Sequence, residues 1–446
     1  MNRRLKFCYF VGIVFIGVAS TAAPVTTERF SLVDAEAMTI ENSPDLKMAD
    51  SYLELIEQKL KVFGARRLPQ IDLEGSYTHI ETVPELTTSM GTVTLGDNQN
   101  YSVGPVLSYN LFDAGALRKT LSSLKQIEQS KTFEKKYIEV MSRFAARLSY
   151  LNVIIADEQY HLSIESFKLS QSQNNDIKKK RKLGASSQLS LSISNRDLLD
   201  QKLKTIESKN NLQKAVWDLS LLVAKDPKAP KLFFPMDSQI GEGEYVVYDD
   251  LDMILQKLDN KIVDLQQTPF QILALEKTIE STRLEMQVID TSYWPQLSLR
   301  LKTSLDYPNG PRLEQIHQNV IGLRLAMPLY DWGERSGQKG EKQAQLDGLR
   351  AQKNKLERDL YLNEQKLKVQ LQGLKEQEGL AEQLLIEAIK VADINLDSFR
   401  SGKIQYTEVE RANVRKFEAQ VRRLVLKGQI FSTLSQMAAI SQGGLK

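Results

Sequence analysis

The stretch that most constrains this chain is written twice. Asn110-Leu111-Phe112-Asp113-Ala114-Gly115 and Pro328-Leu329-Tyr330-Asp331-Trp332-Gly333 each follow a short alternating run and precede a very long polar one. Upstream, LPQIDLEGSY at 68–77 matches WPQLSLRLKT at 294–303, and NSPDL around Pro44 aligns with QTPFQ around Pro269. Downstream, KLGASSQLSLSISN ending at Asn195 matches SGKIQYTEVERAN ending at Asn413. The order is the same in both halves, so the chain is an internal duplication.

Each half is predicted to run helix, strand, strand, long helix, second helix. In the first these are 32–66, 69–79, 101–111, 114–182 and 185–224; in the second, 250–290, 295–305, 319–329, 332–400 and 404–438. The repeats are thus expected at 23–224 and 250–446, joined by a linker at 225–249 whose Leu232, Phe233 and Phe234 pack on neighbouring helices. Residues 1–22 read as a secretory signal peptide: Arg3, Arg4 and Lys6 precede the apolar run Phe10–Val18, and Ser20 and Ala22 are the small residues before the cut. The only cysteine, Cys8, lies in that segment, which leaves the mature chain neither a disulfide framework nor a lipid-bearing N-terminal cysteine.

After the signal there is no run of about 18 apolar residues, so a membrane could be met only with strands. The strands suit that. Ile71, Leu73 and Tyr77 alternate with Asp72, Glu74 and Ser76, and Leu297, Leu299 and Leu301 with Ser298, Arg300 and Lys302. The return strands place Tyr101, Val103, Leu107, Tyr109 and Leu111, then Ile321, Leu323, Leu325, Met327 and Leu329, on one face, with Arg324 on the other. One face is apolar and the other charged, over the length of a tilted membrane strand. Four such strands cannot close a barrel or cover their own edges, so closure is expected from several copies.

The doubled motif is expected to be a strand-to-helix changeover. Asp113 and Asp331 can accept from the free N–H groups of the following helix, Glu334 can complete a capping box, and Gly115 and Gly333 follow. Phe112 and Tyr330 fall at the level of interfacial aromatics. Pro69 and Pro295 end a helix and admit a strand on the incoming path.

In this order, and twice, these marks resemble the TolC family of outer-membrane efflux and secretion channels. The Pro69-Gln70 and Pro295-Gln296 entries, the LFDAG and LYDWG exits and the Gly184 and Gly402 turns carry the likeness, over essentially the whole mature chain. The resemblance implies a mainly α fold with a small β part. Three chains of four strands would form one twelve-stranded barrel in outer-membrane lipid, continued into the Gram-negative periplasm by a long α-helical barrel. It further implies a homotrimeric exit duct, fed by an inner-membrane ABC or proton-driven transporter through a periplasmic adaptor, in efflux or type I secretion. Asp72, Glu74, Arg300, Lys302 and Arg324 would line the lumen. The adaptor would meet Leu183-Gly184-Ala185 and Ser401-Gly402-Lys403, with Ser401 standing where the family has an apolar residue. The family's acidic gate, counted from Gly402, falls on Glu408 and on Arg411, which reverses the charge.

Other chemistries find little support. With 59 basic and 56 acidic residues, three of the basic ones in the signal, the mature chain is near neutral and gives no nucleic-acid argument. No G-x-S-x-G, P-loop or G-x-G-x-x-G is present, and GEGE at 241–244 reads as a flexible loop. His79, His161 and His317 lack metal-ligand spacing, so no enzyme activity, metal or cofactor is expected. KKKRK at 178–182 reads as a solvated patch beside one tip, with adaptor contact as the alternative. The competing reading of the whole is a structural coiled-coil envelope protein without channel activity, which the four alternating strands oppose.

Overall fold

The computed structural model describes residues 28–440 other than 239, 242 and 260–267, so the signal segment expected at 1–22 lies outside the described residues. A short strand, β1 (Glu28–Phe30), leads into α1 (Leu32–Asn42) and α2 (Pro44–Ala65). Periodicity predicts one helix here. Pro44 divides it, taking the first position of α2, where a missing N–H is not needed, while the Ser43 hydroxyl accepts from Leu46 N–H. β2 (Gln70–His79) follows, then a small hairpin the sequence reading passes over, β3 (Glu85–Thr88) and β4 (Gly91–Thr94), and then β5 (Gln99–Phe112). α3 (Ala116–Lys182) and α4 (Gln188–Val223) complete the first half.

The expected linker carries two strands, β6 (Phe233–Pro235) and β7 (Glu244–Tyr248). After them come α5 (Leu251–Asp259) and α6 (Phe270–Thr291), so the helix expected over 250–290 is two, with Pro269 at the N-cap of the second. β8 (Gln296–Tyr307), β9 (Ile316–Ala326), α7 (Glu334–Arg400) and α8 (Tyr406–Ile440) repeat the first half's order. β9 stops ahead of Pro328, short of the 329 expected from alternation. α3 and α7 each have 67 residues, which at 1.5 Å per residue is about 100 Å.

The four long strands form one antiparallel sheet in the order β2-β5-β8-β9. The helices attached to it pack in the matching order, α2 on α3, α3 on α6 and α6 on α7. Farther from the sheet the order becomes α4 on α3, α3 on α8 and α8 on α7. The main apolar core lies between these tiers, around the parallel sheet β1-β7-β6. Phe30 stacks on Phe233 with ring centroids 4.5 Å apart. The buried Tyr150 hydroxyl donates to Phe30 C=O at 2.7 Å and accepts from Asp249 N–H at 2.8 Å. Gly241 and Gly243 pass close beside this core: a Cβ on Gly241 would strike the Phe234 ring, and one on Gly243 would come within 2.7 Å of Leu232 C=O. A buried ion pair, Arg147 Nε to Glu36 Oε1 at 2.6 Å, ties α3 to α1.

Candidate channel wall, changeover and tip

Residues opposite one another in a ladder share a face, so the register sorts the sheet without reference to function. Asp72 pairs with Val106 and Val106 with Lys302; Glu74 pairs with Gly104; Ser108 pairs with Arg300, and Ser298 with Arg324. The five charged residues expected in the lumen therefore lie on one face. Arg300 donates from Nη2 to both Glu74 oxygens at 2.6 Å, and Lys302 donates to Ser102 Oγ at 2.8 Å. The opposite face carries Ile71, Leu73, Val103, Leu107, Leu299, Leu301, Ile321, Leu323 and Leu325. In the single chain Ile71 is 72% exposed and Leu323 68%. Among the described residues no helix is long and apolar enough to cross a membrane.

Both changeovers have the same geometry. Ala114 and Trp332 are left-handed at φ 52° and 53°, and the glycines after them at 81° and 89°. These glycines are the helix N-caps and have no side chain to offer, so the aspartate two residues earlier serves. Asp113 accepts from Gly115 N–H at 2.9 Å and Leu117 N–H at 2.8 Å; Asp331 accepts from Gly333 N–H and Arg335 N–H, both at 3.2 Å. Glu334 makes no capping box: it is the first residue of α7 and its carboxylate accepts from Gln338. Pro69 and Pro295 stand one residue ahead of β2 and β8, where a missing N–H breaks no ladder bond. Phe112, Trp294, Tyr330 and Trp332 cluster in sequence around these ends and are exposed.

At the far end, α3 and α7 close with the same cap. Gly184 and Gly402 are left-handed, at φ 73° and 75°. Ala185 N–H donates to Lys180 C=O at 2.8 Å and Gly184 N–H to Arg181 C=O at 3.0 Å; Lys403 donates to Ser398 at 2.9 Å and Gly402 to Phe399 at 3.0 Å. This paired pattern needs a left-handed residue, which only glycine adopts without strain. Leu183, Ala185, Ser401 and Lys403 are all exposed around these turns.

Glu408 and Arg411 lie one turn apart on α8 and are paired at 3.3 Å. Neighbouring Glu410 is instead engaged by Arg196 of α4. Behind them is a buried polar cluster that sequence reasoning missed. The Tyr406 hydroxyl donates to Asp197 Oδ2 at 3.2 Å and Gln173 Oε1 at 3.3 Å, Ser170 donates to the same Asp197 oxygen at 2.6 Å, and Asn413 donates to Gln173 at 3.2 Å. Burial, together with the Asp197 carboxylate, pushes the Tyr406 phenol above its ordinary value, which keeps it a donor. Its signal in the sequence is helical spacing of small polar residues, Ser170, Gln173 and Asn174 on α3 with Ser194, Asp197 and Gln201 on α4, which a search for apolar periodicity passes over. Among the described residues no group of three or more His, Cys, Asp or Glu could hold a metal ion.

The chain thus joins a two-faced four-stranded sheet to helices of about 100 Å. The family model described as outer membrane efflux protein matches residues 37–225 and 262–441, and the chain belongs to that outer-membrane family. Its members are channels, not enzymes. Among solved structures the chain is similar to CusC at 16% identity and TM-score 0.74, over 93% of this chain and 92% of that one. It is similar to the Campylobacter jejuni outer membrane channel CmeC at 16% identity and TM-score 0.75, over 93% and 86%, and to VceC of Vibrio cholerae at 15% and 0.74, over 93% and 97%. Comparison with curated proteins finds no match.

Proposed function

We propose that three copies of this chain close into one duct through the outer membrane, the passive exit of a tripartite efflux or type I secretion system. An inner-membrane transporter, ABC-type or proton-driven, delivers substrate through a periplasmic adaptor, and the Gly184 and Gly402 turns are where that adaptor meets the duct. The observation that carries this reading is the agreement of open edges. The sheet ends in β2 and β9, the adjoining helical tier in α2 and α7, and the far tier in α4 and α7. These edge elements bear exposed apolar side chains: Tyr52 on α2, Leu199 and Leu203 on α4, Leu380 and Ile394 on α7. An unpaired strand edge in lipid costs several kcal/mol per group, which pairing β9 of one copy with β2 of the next removes.

In this duct Glu408 lines the narrowed tip and biases it toward cations, while Arg411 holds the aperture closed and lowers the net charge. Single-channel recording in planar bilayers tests the gate. Glu408→Ala is expected to lower cation over anion preference and Arg411→Ala to raise conductance. If Glu408→Ala alters neither property, Glu408 is an ordinary surface carboxylate.

A further inference from the structure

α3 ends in Lys178, Lys179, Lys180, Arg181 and Lys182, and no Asp or Glu stands between Asp176 and Asp197. Lys180 turns inward, donating to Phe399 C=O at 3.2 Å with its Nζ 4.3 Å from the Phe399 ring centre, and Arg181 donates to Ser186 C=O at 3.4 Å. Lys178, Lys179 and Lys182 are exposed. Among the described residues their side chains are in no hydrogen bond or ion pair, and three acids across the tip are engaged by other residues: Asp397 by Arg400, Glu408 by Arg411, Glu410 by Arg196. A helix C-terminus is stabilised by a cation or two in its last turn. α7, equally long, ends with Arg400 alone. The lysines of α3 are therefore in surplus of what the helix needs, and they stand in the last turns before Leu183, which is 83% exposed.

We propose that this basic collar docks a periplasmic protein whose own tip offers an apolar socket for Leu183 rimmed by Asp and Glu side chains. The inference rests on the reading that the tip meets an adaptor, and it adds the charge of that partner. Leu183 supplies apolar contact at the end of the patch; the lysines supply long-range attraction and register, an effect that is strong within a Debye length of about 8 Å.

The test places benzoylphenylalanine at position 183 of the full chain in cells and maps the photo-adduct. The expected result is an adduct to one periplasmic protein at a segment with a surplus of Asp and Glu. Adduct yield is expected to fall about tenfold when Lys178→Glu, Lys179→Glu and Lys182→Glu are combined, and to persist when the same three become Arg, with oligomer assembly equal in all. An adduct segment that is neutral or basic, or an undiminished yield in the charge reversal, overturns the inference. So does faster hydrogen exchange across 174–188 in the purified reversal protein, which would make the lysines structural. Binding of purified protein to phosphatidylglycerol vesicles through these lysines, with no protein adduct, would assign the collar to a membrane surface instead. Failure of the underlying reading has a different sign: no adduct at 183 and normal export by Gly184→Val.

Discussion

Asp157 sits on α3 at the margin of the main core, with His161 Nε2 3.5 Å from its Oδ1 and with Glu158 and Asp237 nearby. Burial raises its carboxyl from 3.8 to about 6. The folded state therefore holds this proton more tightly than the unfolded chain, and the stability it contributes is lost as pH rises through about 6. Asp157→Asn is expected to stabilise the fold at pH 8, on the order of 1–3 kcal/mol, seen as a higher thermal midpoint, and to leave the midpoint nearly unchanged at pH 4. Thermal unfolding followed by circular dichroism at the two pH values checks this, and equal increments at both would contradict it. Neither Asp157 nor Tyr406 is legible in the sequence, because burial depends on which helices meet and a polar residue on a long polar helix gives no sign of facing inward. Asp113 and Asp331 are legible, because their partners are N–H groups within four residues.

At the level of single elements, local signals decide what can be read. The strands, the changeovers and both 67-residue helices follow from alternation, Pro and Gly placement and the doubling of the motif. The breaks at Pro44 and Pro269 are visible as residues but are overrun by continuous periodicity on either side. The three-residue strands β1 and β6 are too short to alternate; they exist because β7 lies between them. The tip turns depend on single glycines. Gly184→Val or Gly402→Val places a β-branched side chain at a left-handed position, costing about 1–2 kcal/mol locally. Each is expected to impair adaptor-dependent export more than oligomer assembly. Export assays beside heat-modifiable gel migration separate the two, and equal loss of both would leave these turns a folding role alone.

At the scale of the whole molecule, the sheet's two faces and open edges support the proposal that the single chain is a third of a wall. If so, position 299 faces lipid and position 300 the lumen. The sole native cysteine is Cys8, so Leu299→Cys and Arg300→Cys can be labelled singly in Cys8→Ser protein. A lipid-soluble reagent is expected to reach 299 and a water-soluble one 300; the reverse would mean the faces are inverted. The number of copies is not written in any one residue. What the structure shows is that β2 and β9 end the sheet with open edges, and the proposed three copies would close them. The most direct test is the mass of the purified protein in detergent, by light scattering corrected for bound detergent. The account predicts three chains per particle, separating into single chains on heating. A stable monomer that keeps a fully formed barrel would contradict it.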